Sequence, residues 1–95
     1  MDWRRVRLTE HMTEAASVVS AAEVVLEFSP DARGWFRVTV FEDLRAASDD
    51  ERFFARAEER SDPALQGLGT AATPEDAATL ALREAGVSLR RARGR

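Results

Sequence analysis

The chain has 95 residues, 44% of them apolar and 33% charged, and a formal net charge of −3. That length and balance give one globular domain with a modest core, and exclude a disordered chain or a deep cleft between lobes. Cysteine is absent, which excludes disulfides, thiolate metal ligands and cysteine nucleophiles.

At the N-terminus, Arg4, Arg5 and Arg7 are not followed by the apolar run that a secretory signal requires. The longest apolar stretches, such as Val24-Val25-Leu26, are too short to span a bilayer. A cytoplasmic protein that does not enter membranes is therefore expected. Leu8, Met12, Ala15, Ala16 and Val19 recur at helical spacing, with Thr9 as a cap and Glu10 in the first turn. They predict an N-terminal amphipathic helix, although Val18-Val19 are weak helix formers.

Val24, Leu26 and Phe28 then alternate with Glu23, Val25 and Glu27 as in a strand. Ser29-Pro30-Asp31-Ala32-Arg33-Gly34 is a dense turn signal. A second strand follows, with Phe36, Val38 and Val40 on one face and Trp35, Arg37, Thr39 and Phe41 on the other. Pairing Leu26 with Val38 sets Val24 beside Val40, Phe28 beside Phe36 and Glu27 opposite Arg37, which satisfies both faces of a hairpin.

Residues 48–60 admit two readings. Ser48-Asp49-Asp50-Glu51 fits a helix capping box, whereas Phe53, Ala55 and Ala57 alternate with Arg52, Arg56 and Glu58 as in a strand. The strand is preferred, because a two-stranded hairpin is marginal alone. Gly67-Leu68-Gly69 reads as a flexible connector. Thr73, Pro74 and Glu75-Asp76 then supply the cap, first position and acidic first turn of a final helix. Ala77, Ala78, Leu80, Ala81, Leu82 and Ala85 give that helix a broad apolar face, and Gly86 is expected to end it, with Val87 packing back. Val24, Leu26, Phe28, Phe36, Val38, Val40, Leu80, Leu82 and Val87 make up the expected core.

No residue set assembles into catalytic machinery. His11 is the only histidine, and His11 with Glu14 would be at most half of a metal site. Ser17, Ser20, Ser29, Ser48, Ser61 and Ser88 lack a nucleophile context. The pairs Glu42-Asp43, Asp49-Asp50 and Glu58-Glu59 read as solvated surface. The Gly67-Leu68-Gly69 stretch holds no cation, and Glu75 and Asp76 would repel a phosphate from the helix start. No enzyme activity, cofactor or metal is expected.

Two leads concern partners. Arg90, Arg91, Arg93 and Arg95 form a basic tail after a domain over 1–89, and with Trp3 and Trp35 beside arginines they suit nucleic acid. Against this, Glu10 to Thr79 holds fifteen acidic residues and six arginines, a net of −9, which opposes a polyanion. The second lead is apolar: Val25, Trp35, Thr39 and Phe41 share a sheet face that water alone does not suit, as at an interface.

The order helix, three strands, helix, with Leu65-Gln66-Gly67-Leu68-Gly69-Thr70 and Thr73-Pro74-Glu75-Asp76-Ala77-Ala78, resembles HicB-type antitoxins and double-stranded-RNA-binding domains. The resemblance implies an αβββα fold and, for the first family, an antitoxin-like role. Two features depart from it. Glu75 and Asp76 stand where RNA-binding members carry lysines. Only nine residues follow Gly86, where HicB antitoxins add a DNA-binding module. The expectation is thus an α+β domain, a three-stranded antiparallel sheet with N- and C-terminal helices packed on one face. Its expected role is a non-enzymatic interaction or accessory domain that forms homodimers or binds a protein partner. Nucleic-acid binding through the Arg-rich ends is the alternative.

Overall fold

The computed structural model describes residues 16–29, 32–44, 46 and 48–93. Four strands form one antiparallel sheet in sequence order: β1 Ala16–Ser29, β2 Ala32–Asp43, β3 Phe53–Glu59 and β4 Gln66–Ala71. One helix, α1 Pro74–Arg93, follows β4, and a single 3-10 turn at Asp49–Glu51 precedes β3. The expected three-stranded sheet between two helices is therefore corrected to a four-stranded sheet and one C-terminal helix among the described residues.

The N-terminal correction has a local cause. Ala16 to Val19, expected at the end of a helix, open β1 instead: Ala16, Ser17 and Val18 pair with Asp43, Glu42 and Phe41, and Ser20 with Val40, with a register shift at Val19. Val18 and Val19 are β-branched and favour a strand over a helix, and Val18 pairs with Phe41 of the long strand β2. The remainder of the expected helix, 8–15, lies outside the described residues.

The β1–β2 hairpin forms, but in another register. Leu26 pairs with Gly34, Val24 with Phe36 and Ala22 with Val38. The slip from the expected pairing is four residues, an even number, so every side chain keeps its face. Two things favour the observed register. Ser29 pairs with Ala32, so only residues 30–31 connect the strands. Two opposite-charge pairs also form, Glu23 with Arg37 and Glu27 with Arg33, where the expected register made one. Gly34, taken as a turn residue, lies inside β2, and no described glycine has a positive φ.

Gly67-Leu68-Gly69, expected as a connector, lies inside strand β4. Gly67 and Gly69 point at α1, and a Cβ on Gly67 would overlap the Ala81 carbonyl and the Ala85 nitrogen. At Gly69 it would overlap the Ala77 carbonyl and the Ala81 nitrogen. Glycine inside a strand here marks the close approach of a second backbone. The helix answers with small residues: Ala77, Ala81 and Ala85 are fully buried, and Leu89 continues the same stripe.

The core lies between this stripe and Phe36, Val38, Val40, Ala55 and Ala57, with Val24, Leu26 and Leu82 partly buried at its edge. Leu80 and Val87, expected inside, are 41% and 47% exposed. The phase of α1 is set by its alanines, which alone fit against β4. The Phe28 side chain lies outside the described residues. Thr73 caps α1 through Oγ1, which accepts from the Asp76 N–H at 3.2 Å. The helix does not stop at Gly86 but runs on to Arg93.

Candidate functional site

Alternation assigns the remaining side chains of the four strands to the sheet face opposite α1. Its residues form rows across the sheet. One row pairs Val25 with Trp35; the next runs Glu23, Arg37, Glu58, Gln66. A third runs Ala21, Thr39, Arg56, Leu68, and a fourth runs Val18, Phe41, Phe54, Thr70. Val25, Trp35, Thr39 and Phe41, the residues singled out as an interface, therefore occupy this one face on adjacent strands.

Sequence reasoning missed three members of the same face. Phe54 was out of pattern for a core strand, and it stacks on Phe41 with centroids 4.8 Å apart and planes at 15°. Val18 and Leu68 are 61% and 53% exposed. Recognising Gln66–Ala71 as a strand would have placed Leu68 here by parity. Arg56 lies 6.0 Å from the Phe41 centroid and pairs with Glu58 at 2.9 Å. The face thus has apolar ends, Trp35 with Val25 and Phe41 with Phe54, around a middle of paired charges. No element among the described residues covers it.

The acidic pairs resolve differently. Glu42 accepts from Arg52 Nε at 2.6 Å, and a polar hollow of about 310 Å³ lies beside it, lined by Asp43, Ser48 and Asp49. Glu58 and Glu59, read together as solvated surface, fall on opposite faces. Glu59 is buried, and its Oε2 accepts from the Ser61 N–H at 2.8 Å, the Ser61 hydroxyl at 2.8 Å and the Asp62 N–H at 2.6 Å. Burial pushes this carboxyl up. The Ser61 hydroxyl and the main-chain groups of Asp62, Ser61 and Trp35 outweigh that and hold it below the ordinary glutamate value. Its Oε2 is committed to the turn after β3, which makes it an anchor.

Among the described residues, no group of three or more His, Asp or Glu side chains is placed to hold a metal ion. His11 and Trp3 lie outside them. Arg90 and Arg91 are exposed in the last turns of α1, Arg93 closes that helix, and Arg95 lies beyond the described residues. No helix among them is long and apolar enough to cross a membrane.

Leu65 to Thr70 and Thr73 to Ala78, on which the expected resemblance to HicB-type antitoxins and RNA-binding domains rests, hold most of β4 and the cap and start of α1. Comparison with known proteins finds no family model, curated protein or solved structure that matches the chain.

Proposed function

We propose that this protein is a non-enzymatic interaction module that self-associates through the sheet face opposite α1, with Val25, Trp35, Thr39 and Phe41 in the contact. The observation that carries the reading is Trp35, 43% exposed at one end of a face whose other end exposes Val18 and stacks Phe41 on Phe54. Aromatic side chains in such a setting are the usual anchors of an interface. A two-fold axis through the charged middle would bring the Trp35 end of one copy onto the Phe41 end of the other. It would also set Arg37 and Arg56 near Glu23 and Glu58 of the second copy. Two-fold dimers are the commonest closed assembly and need one self-complementary patch. An antitoxin-like role, in which the module covers a partner protein with this same face, is a form of the reading. A reducing compartment such as the cytoplasm suits a chain without cysteine.

Sedimentation equilibrium tests it. The wild type is expected to form dimers at micromolar concentration and Trp35→Glu to remain monomeric with an unchanged circular dichroism spectrum. A wild type that stays monomeric overturns the self-association reading.

Exposed Arg90 and Arg91 at the C-terminal end of α1 favour a second reading, nucleic-acid binding, which the acidic residues of the sheet oppose. Fluorescence anisotropy with a labelled duplex, repeated on an Arg90→Gln/Arg91→Gln variant, checks it. Equal affinity for both proteins would remove the arginines from that role.

A further inference from the structure

The other side of the sheet carries a separate feature. Helix α1 runs over β4 and β3 and reaches β2, but it leaves most of β1 uncovered on this side. Leu26 on β1 and Leu82 and Val87 on α1 become the walls of an open groove of about 510 Å³. That volume lies within the usual range for small-ligand sites, about 300–1,000 Å³.

The charge of the lining is the opposite of the chain's. The chain carries a net −3, yet among the described residues no Asp or Glu lines the groove, while Arg83 and Arg90 both do. These arginines are two helical turns apart, so they sit on one side of α1 about 10 Å apart along its axis. A guanidinium offers a planar fork that binds a carboxylate through two parallel hydrogen bonds.

Gly86 points to the same place. It lies in the interior of α1, where glycine costs about 1 kcal/mol relative to alanine, and it lines the groove between the two arginines. Having no side chain, Gly86 takes up none of the groove's space, at the expense of helix stability.

We infer that the groove between α1 and β1 binds a single-chain aliphatic carboxylate, its alkyl chain along Leu26, Leu82 and Val87 and its carboxylate on Arg83, with Arg90 adding positive charge at the rim. The site lies on the opposite side of the sheet from the self-association face and stands or falls independently of it.

Titration calorimetry of the full chain with dodecanoate, below its micelle concentration, tests this directly. One saturable site per chain is expected. An Arg83→Gln/Arg90→Gln variant should bind dodecanoate at least tenfold more weakly while its weaker binding of dodecanol, which has the same chain and no charge, stays the same. Gly86→Leu, which adds a bulky side chain to the lining, should lose both ligands while still unfolding cooperatively on heating. Two results would overturn the proposal. One is a wild type without saturable binding, which would leave the groove to a protein segment such as residues 1–15 or a second copy. The other is dodecanoate binding that both variants retain.

Discussion

Glu59 is the only buried ionisable side chain among the described residues, and its three hydrogen bonds fix a proton-linked contribution to stability. Its folded pKa lies below its unfolded value of about 4.3, so the unfolded state takes up a proton first as pH falls. The carboxylate therefore stabilises the fold fully above about pH 4.3, and that contribution is lost as pH drops through the folded value. Glu59→Gln should cost roughly 1–3 kcal/mol at pH 7, because an amide presents donors to a site built from donors. Thermal melts between pH 7 and pH 3 check this: the gap between wild type and variant should close towards the acid end, and a gap of constant size would exclude the linkage. The alternation of Phe53, Ala55 and Ala57 was legible in the sequence, but it was not carried on to Glu59, which continues the same core face. What one strand cannot display is the Ser61-Asp62 turn folding back to supply the N–H groups, so beside Glu58 the residue read as surface.

Between β4 and α1 the contact is backbone on backbone, which makes two glycines the most demanding positions of these elements. Gly67→Ala should destabilise by about 3 kcal/mol or more, since the added Cβ meets main-chain atoms of Ala81 and Ala85 that cannot move without displacing the helix. Leu68→Ala, on the other face of the same strand, should change stability by only about 0.5 kcal/mol. Denaturant melts of the two variants give the contrast, and equal midpoints would show that α1 does not ride on the glycines. Strand β4 hid from sequence reasoning because half of its alternation is written in glycine, which contributes no hydrophobic signal at period two. The alanine stripe of α1 was legible, and it was the complementary half of that signal. Strand β3 and the α1 cap were read correctly, from alternation in one case and from Thr73-Pro74-Glu75 in the other. The end of α1 was misread because Gly86 looks like a cap to any reading that does not see Leu89 buried beyond it. Removing residues 90–95 is accordingly expected to lower the thermal midpoint, since it strips the last turn that holds Leu89 against Gly34 and Phe36. An unchanged midpoint would mean that α1 ends functionally at Leu89.

At the scale of the molecule, the sheet separates two surfaces of different character, an aromatic and charged face on one side and an apolar groove rimmed by arginine on the other. The first was legible because the four-residue slip in the hairpin preserved parity, so Val25, Trp35, Thr39 and Phe41 kept their common face through a wrong register. The second was not legible, because it depends on how far α1 stops short of β1, a distance set by the glycines of β4. Self-association through the first surface has a salt signature that follows from its layout. The charged middle consists of exposed pairs such as Arg56 with Glu58, and each exposed pair contributes about 0–1 kcal/mol and is screened by salt. The ends are apolar and aromatic, and their burial does not weaken as salt rises. Raising sodium chloride from about 0.1 M to about 1 M, where the Debye length falls from about 10 Å to about 3 Å, should therefore change the dimer constant by less than about tenfold. Over the same range, a complex of Arg90 and Arg91 with duplex should weaken by orders of magnitude, since it rests on the release of condensed counterions. Sedimentation equilibrium and anisotropy across one salt series compare the two. A dimer that dissolves at high salt would shift the contact from Trp35 and Phe41 to the Glu23, Arg37 and Glu58 row, and Arg37→Glu rather than Trp35→Glu would then be the substitution that breaks it.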